Sequence, residues 1–179
     1  MKYFYFFILV SIISCQSKID KKSSFRNDFS KEESKILQTA DSVIKSAYYT
    51  TLITLDNKNQ PRARIVEPFL PEKNYVIWMA TNPKSRKVNQ LKNNATATLH
   101  YFDKSKLAYV SLMGNAFLVN NDSIKKKKFK EGWEKFYANK KEAYLLIKFV
   151  PKTLELISIS DNYFGDKTTW KPHLVNLYN

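Results

Sequence analysis

The chain has 179 residues, a formal net charge of +14 and a single cysteine, Cys15. One cysteine excludes an internal disulfide and a thiolate metal site, and the 3 glycines are too few for a glycine-rich phosphate or dinucleotide loop. This length suits one domain with its own core. The excess of lysine favours anionic partners, but no nucleic-acid-binding motif is present and we expect no nucleic acid partner.

The N-terminus has the pattern of an export signal. Lys2 precedes an apolar run over residues 3–13, which ends at Ser14 and Cys15. This arrangement resembles a bacterial lipoprotein signal peptide, and the run is shorter than the ~20 apolar residues of a membrane-spanning helix. An ordinary signal peptide with an unrelated cysteine is the alternative.

We therefore predict a signal peptide over residues 1–14, a lipid on Cys15, a flexible tether over 15–29 and a domain over 30–179. A lipid on Cys15 would anchor the protein to a membrane of the bacterial cell envelope. Gln16, in place of an aspartate after the cysteine, resembles lipoproteins that are sent on to the outer membrane.

The domain begins with a predicted helix. Ser30 and Glu33 form a capping-box pattern ahead of a helix over residues 31–46. Apolar residues fall on one face of that helix, which predicts packing against a core. These residues are Ile36, Leu37, Ala40, Val43, Ile44 and Ala47.

Strand patterns dominate the rest of the chain. A polar turn over 56–59 separates the first two strands, and Gly114 predicts a bulge in the fifth. The predicted strands cover residues 49–55, 62–69, 75–80, 95–102, 108–119, 143–150 and 153–159, and the predicted helices cover 83–93 and 122–136. Strands on short turns with few helices favour a small antiparallel barrel.

A lysine cluster covers residues 125–128 and 130, at the predicted third helix. Such a run is typical of a solvated face. Attraction to anionic membrane lipid is the functional alternative.

The segment over residues 75–87, YVIWMATNPKSRK, predicts an anion site. An apolar strand ends at Thr81, and Pro83 suits the first turn of a helix. Ser85, Arg86 and Lys87 would then lie at the helix N-terminus, where free N–H groups and the helix dipole favour a phosphate.

The order of these motifs carries a family resemblance. RARIV, ATNPKSRKVNQL, NNATATLHYFD and YVSLMG follow one another along the chain. Together they resemble the pyridoxamine 5'-phosphate oxidase-like, FMN-binding split-barrel family, particularly its general stress protein branch. The resemblance implies a mainly β fold with flanking helices, built on a six-stranded antiparallel split barrel. It also implies a homodimer with FMN at the dimer interface.

The resemblance also assigns cofactor-binding residues. The triplet Ser85–Arg86–Lys87 matches the family's phosphate grip, Tyr109 stands where the family often has glutamine, and Trp170 is the candidate for a tryptophan that approaches the flavin from the other subunit. The residues expected to contact FMN are Arg64, Ile65, Val66, Ala80, Thr81, Ser85, Arg86, Lys87, Tyr109 and Trp170.

Each assignment has a structural alternative. Arg64 could be a surface strand residue, Arg86 and Lys87 a solvated helix turn, and Ser85 only a helix cap. Glu67 could transfer protons, although a strand-edge carboxylate is the default interpretation.

The implied function is a flavin-dependent oxidoreductase that acts on an unknown small substrate. Pyridoxal phosphate synthesis is not expected, because Phe69 stands where the oxidase has a lysine and the C-terminal WKPHLVNLYN lacks its Arg-x-His. The alternative is a non-catalytic haem-, flavin- or deazaflavin-binding protein of the same fold. Haem would need an imidazole ligand from His100 or His173. A barrel that has lost its ligand is the third hypothesis.

Overall fold

The computed structural model describes residues 24–179. Its first helix is α1 (Lys31–Ala47). The predicted capping box is confirmed: Glu33 N–H donates to Ser30 Oγ at 3.1 Å, and Ser30 N–H donates to Glu33 Oε2 at 2.8 Å. The predicted apolar face packs against the sheet, with Ile36, Ala40, Val43 and Ile44 buried.

The predicted signal peptide, Cys15 and most of the tether lie outside the described residues. The end of the predicted tether differs from the expectation, because residues 25–29 pack on the domain. The ring of Phe25 meets that of Tyr178 edge to face, and the Arg26 guanidinium donates to Glu33 and to the carbonyl of Asn176. None of the helices that the structure describes combines the length and apolar character needed to cross a membrane.

The elements that follow alternate short strands with short helices. The strands are β1 (Thr50–Leu55), β2 (Pro61–Val66), β3 (Ile77–Thr81), β4 (Thr96–Asp103), β5 (Ala108–Val119), β6 (Leu145–Ser158) and β7 (His173–Asn176). The helices are α2 (Arg86–Asn93), α3 (Asp122–Lys127) and α4 (Lys140–Ala143), with a 3₁₀ turn over Trp133–Lys135 between the last two.

The strands form one antiparallel sheet in the order β2-β1-β4-β5-β6-β3, and β7 pairs with β6. The mainly β, split-barrel prediction is confirmed, but the sheet has seven strands instead of six and does not close. An isolated bridge between Pro68 and Met79 nevertheless brings the chain after β2 against β3. The ends of β2 and β3 are therefore neighbours.

The pairing between the two longest strands, β5 and β6, contains a bulge. The register of β5 and β6 shifts between Met113 and Gly114, as the glycine predicted, and Gly114 lies opposite Pro151. The sequence predicted two strands separated by Pro151, whereas the structure has one continuous strand. Proline is tolerated there because a bulge does not need its missing N–H.

The predicted helix over 122–136 is broken. It ends at Lys127, and Gly132 adopts a left-handed conformation with φ of 83° before the 3₁₀ turn. Residues 128–137 thus form an irregular connection, called here the β5–β6 connector. Its Trp133 is buried with Val76, Trp78, Tyr144 and Leu146, in a hydrophobic cluster separate from the main core.

Candidate functional site

A cavity of about 700 Å³ opens where β2 and β3 end. We call it the strand-end cavity. Its lining includes six of the predicted site residues, namely Ile65, Val66, Ala80, Thr81, Ser85 and Lys87. The fold brings together two segments that the sequence separates, because the isolated bridge after β2 draws them side by side.

One end of the cavity is cationic. The Arg64 guanidinium is half-buried and donates to Thr54 Oγ1 at 2.6 Å, Gln90 Oε1 at 2.9 Å and the carbonyl of Leu52 at 3.2 Å. Lys87 Nζ lies 3.1 Å from Thr81 Oγ1. Burial lowers the pKa of Arg64, as does the charge of Arg86; burial and the charge of Arg64 lower the pKa of Lys87.

These cations repel one another without a carboxylate between them. In the part of the chain that the structure describes, the ion pairs involve other residues and none reaches Arg64, Arg86 or Lys87. Half-buried positive charge with no negative partner is costly. An anion at this end would relieve that cost.

The turn before α2 shapes this cationic end. The helix begins at Arg86, three residues later than predicted, because Pro83 lies in the preceding turn. Ser85 is the N-cap residue, but its side chain does not cap the helix; it lies 3.0 Å from Thr81 Oγ1 instead. The N–H groups of the first turn are therefore not occupied by that hydroxyl.

Part of the lining is aromatic. Tyr48 and Tyr49, just before β1, line the cavity together with Trp133, Phe136 and Tyr137 of the β5–β6 connector. Sequence reasoning missed all five as site residues. Trp133 lies 46 residues after Lys87, the nearest preceding predicted residue that lines the cavity, so no local pattern could have connected them. The sequence showed only that residues 129–137 are rich in aromatic side chains.

Glu67 ties the connector to the end of β2. Its carboxylate accepts hydrogen bonds from Tyr48 Oη at 2.6 Å and from Lys130 Nζ and Trp133 Nε1, each at 2.9 Å. Burial alone would raise the pKa of Glu67, but these three donors lower it to about 2. The carboxylate is thus ionised and fully engaged at neutral pH, which does not suit a proton-transfer role.

The remaining predicted residues lie elsewhere in the single chain. Arg86 is exposed beside the cationic end, and Tyr109 packs on the His100 ring at 5.4 Å, on the outer face of the sheet. Trp170 is 80% exposed in the loop before β7. Their contacts with a flavin stay predictions.

Neither histidine lines the strand-end cavity. His100 Nδ1 lies 2.9 Å from Ser111 Oγ, and His173 Nε2 lies 2.9 Å from the carbonyl oxygen of Phe164. Across residues 24–179, no three side chains of histidine, cysteine, aspartate or glutamate gather as a metal site would require.

A mainly antiparallel, unclosed sheet with flanking helices, with a cationic corner where β2 and β3 end, defines the split-barrel class of fold. The sequence profile of the pyridoxamine 5'-phosphate oxidase family matches residues 36–158. The match spans more than half of the chain, so this protein belongs to that family. A comparison with curated protein sequences finds no match.

Solved structures share the fold at low sequence identity. A protein related to general stress protein 26, from Clostridium acetobutylicum, superimposes with a TM-score of 0.67 at 18% identity, over 79% of this chain and 94% of its own. A pyridoxamine 5'-phosphate oxidase-related, FMN-binding protein from Nostoc punctiforme gives 0.59 at 11%, over 84% and 98%. A haem-binding protein from Mycobacterium smegmatis gives 0.56 at 13%, over 76% and 56%.

Proposed function

We propose that this chain binds FMN in the strand-end cavity and acts as a flavin-dependent oxidoreductase on a small substrate. One observation carries the proposal: Lys87 lines the cavity with Arg64 beside it, both side chains are half-buried, and neither pairs with a carboxylate among the described residues. The rest of the lining combines apolar and aromatic side chains with the charged Glu67, Glu131 and Lys135. A ligand that carries a phosphate on a flat ring system would match the two cations and the apolar and aromatic side chains.

The residues present fit FMN chemically. A phosphate monoester carries about −1.5 to −2 charges at neutral pH, which would offset the repulsion among Arg64, Arg86 and Lys87. The side chains of Ile65, Val66 and Ala80 would cover the ring and exclude water from it. When bound, FMN supplies hydride or single-electron transfer, while the protein binds and orients it.

Pyridoxal phosphate synthesis is not part of this proposal. The oxidase needs a second set of basic groups for its substrate phosphate, and Phe69 occupies one of those positions. Its ring packs edge to face on Trp133 at 5.5 Å, which supports a packing role.

Haem binding is less well supported than FMN binding. The described residues that line the cavity include no histidine, so an imidazole ligand to iron would have to come from elsewhere. Non-catalytic binding of a flavin or a deazaflavin is the remaining alternative. A Soret band on haem titration, lost when His100 or His173 is replaced, would support the haem alternative.

Titration with FMN tests the proposal. The purified full-length chain should bind FMN with a change in flavin absorbance, and Arg86→Ala/Lys87→Ala should weaken binding ~100-fold or more, because two charge-assisted hydrogen bonds are worth about 3 kcal/mol or more. Riboflavin lacks the phosphate, so its affinity should be unchanged by the double variant.

The matched control is Lys84→Ala/Lys92→Ala. It removes the same charge from the same segment at two exposed lysines outside the cavity lining. Its FMN affinity should remain within about twofold of the wild type. A colourless protein that binds neither flavin would refute the proposal, as would equal losses in both double variants.

We also propose a lipid anchor on Cys15 and a place in the bacterial envelope, most favourably at the outer membrane. The support is the apolar run that ends at the cysteine. Labelled fatty acid should be incorporated into the wild type in the native type of host and not into Cys15→Ala. Equal labelling of both chains would contradict the anchor.

A further inference from the structure

Glu67 is the centre of a cluster that fastens one wall of the strand-end cavity. Besides Tyr48 and Trp133, it holds Lys130 Nζ, which also donates to the carbonyl of Pro68 at 2.8 Å. The same ammonium lies 5.1–5.4 Å from the ring centroids of Phe69, Tyr48 and Trp133. Cation–π attraction thus adds to the ion pair at a half-buried site.

This cluster separates two cavities. Glu67 and Trp133 line the strand-end cavity, while Pro68 and Lys130 line a neighbouring apolar cavity of about 450 Å³. Tyr48 borders both. The Glu67 cluster therefore lies between the two cavities. Its hydrogen bonds fix the positions of the Tyr48 and Trp133 side chains.

A second clamp of the same chemistry lies five residues further along the chain. Glu72 Oε1 accepts from Trp78 Nε1 at 3.0 Å and from Lys128 Nζ at 2.9 Å. It fastens the start of the same connector but does not line the strand-end cavity. The two carboxylates share their partner types and differ in whether they face the cavity.

We propose that Glu67 is a positioning residue for the cofactor: it holds Trp133 and Tyr48 as a fixed aromatic wall against which the flavin ring is bound. The inference rests on the proposed FMN site and concerns its ring end only. Glu67 itself need not touch the phosphate, which would be held by Lys87 and Arg64 at the cationic end.

Two variants, Glu67→Gln and Glu72→Gln, test this role. Each keeps the side-chain shape and removes one ion pair from the connector. Glu67→Gln should weaken the binding of FMN and of riboflavin by the same factor, about tenfold, because the aromatic wall changes and the phosphate-binding residues do not. The ratio of the two affinities should stay at its wild-type value, and Glu72→Gln should bind both flavins within about twofold of the wild type.

Hydrogen exchange supplies a readout that does not need a flavin. In the absence of ligand, Glu67→Gln should speed amide exchange within residues 130–137. Glu72→Gln should instead speed amide exchange close to residue 128. Lys130→Met, which removes the other half of the ion pair, should reproduce the Glu67→Gln pattern and covers the case in which that variant does not fold.

The outcomes separate the two hypotheses. Flavin affinity that is unchanged in both Glu67→Gln and Lys130→Met overturns the positioning role while leaving the FMN site standing. An altered ratio of FMN to riboflavin affinity also overturns it, because the effect would then lie at the phosphate. A wild type that binds neither flavin overturns the proposed function and the positioning role together, even if hydrogen exchange shows the clamp intact.

Discussion

At the scale of single residues, Arg64 shows how a strand residue becomes part of a site. Its side chain is half-buried and held by neutral acceptors from β1 and α2, Thr54 and Gln90 among them. Neutral acceptors fix the guanidinium without cancelling its charge, so the charge remains available to an anion. Thr54 and Gln90 were not predicted as site residues, because their roles depend on contacts between distant elements.

Glu67 illustrates the opposite case, because its charge is already paired with donors inside the fold. Its folded pKa of about 2 lies below the ordinary glutamate value of 4.5. The stability it contributes is therefore complete above about pH 4.5 and is lost as the pH falls through 2. At neutral pH the clamp is fully formed.

Gly114 carries a residue-scale prediction about stability. A Cβ at this position would meet the carbonyl oxygen of Val150 and come within 2.6 Å of Pro151 Cα, both backbone atoms. Gly114→Ala should lower the free energy of unfolding by about 1–3 kcal/mol, measured by urea denaturation. Asn115→Ala, one residue along the same strand, is the control and should change it by about 0.5 kcal/mol or less. Equal stability of wild type and Gly114→Ala would contradict the close approach.

At the scale of elements, the lysine cluster is used differently from either sequence interpretation. Lys125 is buried, and Lys128 and Lys130 pair with Glu72 and Glu67. Only Lys126 and Lys127 of this cluster are exposed, because Lys125 packs beside Asn120 and the other two lysines fasten the connector. The run therefore offers much less charge to a membrane surface than its sequence suggested.

At the scale of the whole molecule, the outer face of the sheet is the feature that suits a second copy. Register places Ile65, Thr51, His100, Ser111, Glu155 and Leu174 in one row across five adjacent strand pairs. Phe102 and Tyr109 form a pair on the same face. Ile65 is 67% exposed and Phe102 is 57% exposed. We propose that the homodimer implied by the family resemblance forms through this face, next to the strand-end cavity.

The dimer proposal predicts a change in mass. Phe102→Glu should convert a dimer into a monomer, because a buried, unpaired carboxylate is costly in an interface. Analytical ultracentrifugation measures the outcome. Leu70→Glu, which alters a side chain that is 59% exposed and lines the other cavity, should leave the dimer intact. A monomeric wild type, or a Phe102→Glu variant that remains dimeric, would exclude this face.

The sequence by itself determined the capped first helix, the antiparallel strands, the bulge at Gly114 and the residues of the cationic end. These features follow from local patterns: capping, alternation, turn residues and a short motif. The tertiary structure alone decided the aromatic wall, the Glu67 clamp, the supporting roles of Thr54 and Gln90, and the use of lysines inside the fold. Those features join residues far apart in the chain, and no local pattern specifies which distant donor will meet a given carboxylate.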